Sequence, residues 1–211
     1  MRARFIALVL ALASALGCSK HDDEDSRGDV ARRAARRKAA AQNESSPAAP
    51  AAAPSGVLLT SADGRFSVTL PPGTPMPSEQ STTVPTAFAD MTMHAWEGFL
   101  GDSEYAVMYA DYAPEIVKIK GIDKVLVDVQ SGVLSGIHSR ALLREAKTTV
   151  AGLPAREFEF EKDDPHGYGT QVVMLQGNRL YQLCVLAPLP GGNMDARAKA
   201  FIASFAVSSP P

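Results

Sequence analysis

The sequence predicts an α+β domain over residues 57–211, an antiparallel sheet of about six to seven strands with two helices packed on it, and three observations carry that prediction. First, Gly152 to Pro188 reads as three consecutive strands; in Arg156 to Glu161, Phe158 and Phe160 alternate with Glu157, Glu159 and Glu161, the period-two pattern of a strand with one face packed and the other in water. Second, Gly177-Asn178 separates two apolar runs with residues that tolerate positive φ, so the chain reverses there. Third, Ile122, Val125, Leu126, Val129 and Val133 recur at spacings of three and four, the stripe of an amphipathic helix with Asp123, Lys124, Asp128 and Gln130 towards water and Gly136 as its stop. The helices fall between runs of strands instead of alternating with them, which argues against a parallel α/β sheet.

The remaining elements follow in order. Phe66, Val68 and Leu70 alternate with Ser67 and Thr69 and stop at Pro71-Pro72, where proline removes a ladder donor. Residues 74–85, with three prolines, read as a loop. Thr86 to Phe99 reads as a strand with an irregularity, which Gly101-Asp102 turns into a second, Glu104 to Tyr112. Pro114 and Gly121 punctuate the approach to the helix. Ser139 to Val150, Leu153 to Lys162, Tyr168 to Gln176 and Arg179 to Ala187 are four further strands. A second helix closes the chain, with Met194 at its start and Ala198, Phe201, Ile202 and Phe205 buried. Cys184 lies in a strand that is apolar on both faces apart from Gln182, and reads as core.

The first quarter of the chain is of another kind. Arg2 and Arg4 precede an apolar run from Phe5 to Gly17, too short to span a bilayer and laid out as an export signal. It ends Ala15-Leu16-Gly17-Cys18, which resembles the lipobox of bacterial lipoproteins although Ala15 departs from the preferred Leu, so residues 1–17 are expected to be a signal peptide and Cys18 the acylated terminus. The competing expectation is an ordinary signal peptide cut after Ala13-Ser14-Ala15. If Cys18 is acylated, Cys184 is left without a disulfide partner. Residues 18–56 run through acidic, basic (Arg32-Arg33, Arg36-Arg37-Lys38) and Ala/Pro/Ser stretches that cannot form a core, a tether with a reach on the order of 35 Å. Ser19 after the cysteine leans towards outer-membrane sorting, by analogy with other bacterial lipoproteins, with the domain facing the periplasm.

Charge and motif content narrow the function. Residues 57–211 hold twelve Lys/Arg against seventeen Asp/Glu, a balance of −5, which with export argues against nucleic acid as partner. No P-loop, G-x-G-x-x-G, H-E-x-x-H or C-x-x-C occurs, and Gly132 to Gly136 puts Leu134 where a nucleophile elbow needs serine. His21, His94, His138 and His166 are scattered. Asp163, Asp164 and His166, beside Glu161, form a weak divalent-metal candidate whose sequence also serves an exposed turn. The row Glu157, Glu159, Glu161 is the leading face for a cationic partner; Trp96, Tyr105, Tyr109 and Tyr168 could line a groove but suit a core better.

Four segments, Phe66 to Gly73, Gly152 to Phe158, Asn178 to Leu183 and Phe201 to Phe205, together resemble bacterial lipoproteins whose domain is similar to the PsbP-like α/β/α sandwich. That fold includes the extrinsic photosystem P protein and a Ran-binding import factor. The resemblance implies a scaffold for protein-protein binding with no common catalytic centre, and it transfers no binding residue to this chain. The expected function is therefore a non-enzymatic envelope lipoprotein, without cofactor, anchored in the membrane by its N-terminal lipid and binding another envelope protein or assisting assembly. A small-ligand or divalent-metal module is the alternative reading and a hydrolase the third.

Overall fold

The computed structural model describes residues 56–84, 90–163, 166–188 and 196–208, so Cys18, the signal and the tether lie outside the described residues, as do Asp164 and Met194. In chain order the elements are β1 (Val57–Ser61), β2 (Phe66–Leu70), β3 (Glu79–Val84), β4 (Met91–Leu100), β5 (Ser103–Asp111), α1 (Pro114–Lys120), α2 (Ile122–Gly136), β6 (Ser139–Val150), β7 (Leu153–Lys162), β8 (Gly167–Gln176), β9 (Arg179–Ala187), α3 (Ala196–Ala203) and β10 (Ala206–Val207). They form a seven-stranded sheet in the order β3-β4-β5-β9-β8-β7-β6 and a three-stranded sheet in the order β1-β2-β10. Every pairing is antiparallel.

The large sheet is covered on both faces, and this explains its sequence. On one face, Ile116 of α1 and Val125, Leu126, Val129 and Val133 of α2 pack against Met93, Met108, Phe158, Phe160 and Val173. On the other, Phe66, Val68 and Leu70 of β2 and Phe201, Ile202 and Phe205 at the C-terminal end pack against Tyr105, Val107, Met174, Tyr181 and Leu183. A strand with apolar contacts on both sides has no reason to alternate, and β8 and β9 are buried almost throughout. Each fully buried leucine or phenylalanine contributes about 1.5–3 kcal/mol of transfer free energy, so these two cores are the main source of stability.

Local chemistry fixes the register. Gly177 has φ +62°, as the first central residue of a II′ hairpin turn requires, while Asn178 is not among the residues with positive φ. The Asn178 side chain donates to the Tyr112 carbonyl (2.8 Å) and its carbonyl accepts the Tyr112 N–H (2.9 Å), which ties the β8–β9 turn to the end of β5. Gly169 faces Phe160 across β7–β8, and a Cβ there would overlap the Phe160 ring; only glycine lets that ring lie flat on the neighbouring strand.

The structure departs from the sequence reading in four places. Among the described residues three helices are present where two are expected, because Pro114 at the first turn, Glu115 near the start and Lys118 and Lys120 near the end nucleate a seven-residue helix before Gly121 breaks it. Residues 79–84 are strand β3 where a loop is expected; all but Val84 are exposed, so β3 lacks the apolar alternation that marks a strand. β1 and β10 are likewise additional strands. Gln130, expected in water, is buried at 4% exposure: its Nε2 donates to Glu145 (2.7 Å) and its Oε1 accepts from Arg156 Nε (2.7 Å), which fastens α2 to β6 and β7.

Candidate functional site

The glutamates of β7 lie beside the edge strand β6, and the turn between the two strands decides what they meet. Ala151 and Gly152 both have positive φ (51° and 78°), so β6 folds back on β7 and places Arg144 opposite Glu159. The register then shifts twice, between Leu142 and Arg144 and between Ser139 and Ala141, each shift adding a residue to β6. As a result the Arg144 guanidinium bridges Glu157 and Glu159, with Nε 3.3 Å from the latter. Arg140 lies 3.7 Å from Glu161 and 3.6 Å from Asp163. The glutamate row is thus an ion-paired ladder in which the three carboxylates retain 15–20% side-chain exposure. Four acids against two arginines leave it net negative by two.

On the same edge strand Leu142, opposite Phe160 and so on the other face of the sheet from the glutamates, and Leu143, at the first register shift, are 44% and 48% exposed. As the terminal strand of the sheet, β6 has its outer backbone edge unpaired among the described strands. Arg144 is itself more than half exposed, so its pairs are surface pairs worth about 0–1 kcal/mol each, and a competing cation displaces them at small cost. Exposed leucines, a free strand edge and exchangeable ion pairs are elements of recognition.

The other residues singled out in the sequence fall apart in space. Among the described residues no group of three or more His, Cys, Asp or Glu is placed to hold a metal ion. His166 sits 3.8 Å from Glu161, whose carboxylate Arg140 already approaches, and packs edge-on against Tyr168 at 5.4 Å. His94 pairs with Glu79 (2.7 Å) and stacks on Tyr109 (4.6 Å between rings). Trp96, Tyr105 and Tyr109 are core residues. Burial pushes the Cys184 thiol up, so it stays protonated and packed instead of reactive.

Two constellations escaped sequence reading. Arg179 forms a two-pronged pair with Asp111, donates to the Asp63 carbonyl and lies 4.8 Å over the Tyr109 ring, which joins β9, β5 and the β1–β2 turn. Glu97 and Glu104 face one another diagonally across the β4–β5 hairpin. Burial, then the charge and hydrogen bond of Glu104, push the Glu97 carboxyl up to about 8, and its Oε1 has no partner among the described residues. The Gly101-Asp102 turn was the available signal: extending that hairpin in register brings both glutamates to one face.

Fold and site together define an α+β scaffold of two antiparallel sheets, with exposed leucines and an ion-paired ladder of carboxylates at one edge of the larger sheet. Among the described residues no helix is long and apolar enough to cross a membrane. No protein-family model matches the chain, and no curated protein matches it either. Among solved structures it is similar to the cyanobacterial PsbP (CyanoP) of Synechocystis sp. PCC 6803, at 11% identity and TM-score 0.48 over 77% of this chain and 98% of that one. It is also similar to a Pseudomonas aeruginosa protein of unknown function, at 10% identity and TM-score 0.33 over 63% and 82% of the two chains. At such distances neither likeness carries any statement about activity.

Proposed function

We propose that this chain is a non-enzymatic lipoprotein of the bacterial envelope, acylated at Cys18, whose domain binds another envelope protein through the β6–β7 edge. The observation that carries the binding reading is the pair Leu142 and Leu143, exposed on the edge strand that also supplies Arg144 to the Arg144–Glu157–Glu159 ladder. Supporting the anchor are the Arg2/Arg4 and Phe5–Gly17 export pattern, the Leu16-Gly17-Cys18 ending and the coreless residues that follow. The PsbP-like sandwich belongs to the same proposal. Its support is the four sequence segments quoted above, together with a layer of helices, a seven-stranded sheet and a third layer of small sheet and helix. In this reading the outer-membrane anchor holds the domain in the periplasm.

Two measurements test the proposal separately. Mass spectrometry of the mature N-terminus is expected to give an acylated Cys18, and an unmodified Leu16 terminus removes the anchor. For binding, a photo-crosslinking residue at position 143 is expected to give one discrete adduct in intact envelopes. Leu142→Asp or the pair Glu157→Lys with Glu159→Lys is expected to lower its yield about tenfold, since an apolar contact and a charge pattern are both lost. Full yield in both variants takes the contact away from this edge.

A further inference from the structure

The most exposed large apolar side chain among those described is Ile119, at 78% exposure, and it stands in a setting that single surface isoleucines lack. Its neighbours in the chain are Lys118 and Lys120; then comes Gly121, which breaks the helix with φ +78°, and then Ile122, itself exposed at 37%, Asp123 and Lys124. A Cβ built at Gly121 meets nothing within 4 Å, so the backbone at the junction of α1 and α2 borders open space.

Charge at this corner is positive. Asp128 is shared by Lys120 (2.8 Å) and Lys124 (3.0 Å), and Asp123 is paired with Lys147 (2.7 Å), while exposed Lys118 has no ion-pair partner among the described residues. Four lysines (Lys118, Lys120, Lys124, Lys147) against Asp123, Asp128 and Glu115, one helical turn before Lys118, leave +1 on a domain whose overall balance is −5. Because one carboxylate holds two ammonium groups, Lys120 and Lys124 are only half compensated.

We propose that the α1–α2 corner, Lys118 to Lys124, is a docking surface for an anionic lipid bilayer, with Ile119 and Ile122 entering the interfacial region and Lys118, Lys120 and Lys124 on the lipid phosphates. A protein partner must supply a shaped pocket for an isoleucine, whereas a bilayer interface accepts exposed apolar side chains next to cations without one, and Ile119 and Ile122 are exposed on a segment that carries Lys118, Lys120 and Lys124. Lysine suits this role because its long stem packs along the apolar side chains while the ammonium stays at the headgroups. This contact is separate from the acyl anchor proposed at Cys18, and it would set which end of the domain faces the membrane.

The test uses the mature chain, residues 18–211, with Cys18→Ser, which lacks both the acylation point and the apolar export segment, and co-sedimentation with vesicles of equimolar phosphatidylcholine and phosphatidylglycerol or of phosphatidylcholine alone. The chain is expected to bind the anionic vesicles at about 50 mM salt and to release at about 500 mM, where screening is short-ranged. Ile119→Asp and Lys118→Glu are each expected to lower the bound fraction at least about fivefold, while Lys199→Glu, the same charge change on exposed α3, leaves it unchanged. Both tested positions are exposed, and Trp96 emission reports that the fold is kept. Absence of preference for anionic vesicles overturns the proposal. So does undiminished binding by either corner variant, which would assign the attraction to another basic stretch such as Arg32 to Lys38.

Discussion

Phe66→Ala is expected to lower the unfolding free energy by about 4 kcal/mol, in the upper range for burying an aromatic side chain and then deleting it. Phe66 is fully buried and is the point where the small sheet joins the large one. Its ring meets Trp96 edge-on at 5.3 Å, stacks on Phe205 at 5.8 Å, and has Tyr181 and Tyr109 at 6.3 and 6.4 Å. Those partners come from β4, the C-terminal end, β9 and β5, so the cavity left by alanine is walled by separate elements held by their own ladders. Such walls collapse poorly, and poor collapse is what places a site high in the large-to-small range. Trp96 is the single tryptophan of the chain and touches the deleted ring, so its emission follows chemical unfolding and also reports the altered environment. Phe66→Leu keeps most of the volume and is expected to cost only about 1–1.5 kcal/mol. If alanine costs no more than leucine at this position, Phe66 is not the joint between the sheets.

How far the sequence could be read depended on where each residue's environment comes from. Strands β6, β7 and β9 were legible to the residue, because their limits are set locally by the Ala151-Gly152 and Gly177-Asn178 turns and by proline and glycine beyond. β3 was not, since Glu-Gln-Ser-Thr-Thr-Val is polar on both faces and is a strand only because β4 offers it an edge. Gln130 shows the same limit for a site. Helical periodicity sends it to water, but Arg156 and Glu145, brought in by β7 and β6, give its amide both partners and so permit burial. The glutamate row was visible as a row, and its ion pairing was not, because Arg144 reaches it through a hairpin register altered by bulges. Pairing does not remove the row as a contact surface; it changes what a partner must do there, which is to exchange for Arg144 and Arg140 instead of finding bare charge.

Between about pH 5 and pH 9 the chain is expected to lose stability as the pH rises, and Glu97 is the group responsible. Its carboxyl, ordinarily near 4.5, is pushed up to about 8 first by burial and then by the charge and hydrogen bond of Glu104. The folded protein therefore holds a proton that the unfolded chain has already released. Stability from this group is full below 4.5 and is lost progressively as the pH climbs through about 8. Converted in full, such a shift corresponds to about 5 kcal/mol, but Glu97 is partly exposed and solvent screening reduces the expected loss to about 2 kcal/mol. The charged group that acts on it is Glu104 of β5, and the two carboxylates together also raise the buried Cys184 thiol of β9 on the same side of the sheet. Asp123, Asp128 and Glu145 act in the opposite direction: their lysine and arginine partners and, for Glu145, the Gln130 amide hold them below the usual carboxylate range, so their contribution falls away only in acid. The two effects are separated in pH, and Glu97→Gln distinguishes them, because the amide keeps a donor towards Glu104 and cannot ionise. Urea unfolding of the parent chain and of Glu97→Gln at pH 5 and pH 9 is expected to give a decline only in the parent. Equal declines in both would mean that the Glu97–Glu104 contact holds no shared proton, and that two ionised carboxylates coexist at the tip of the β4–β5 hairpin.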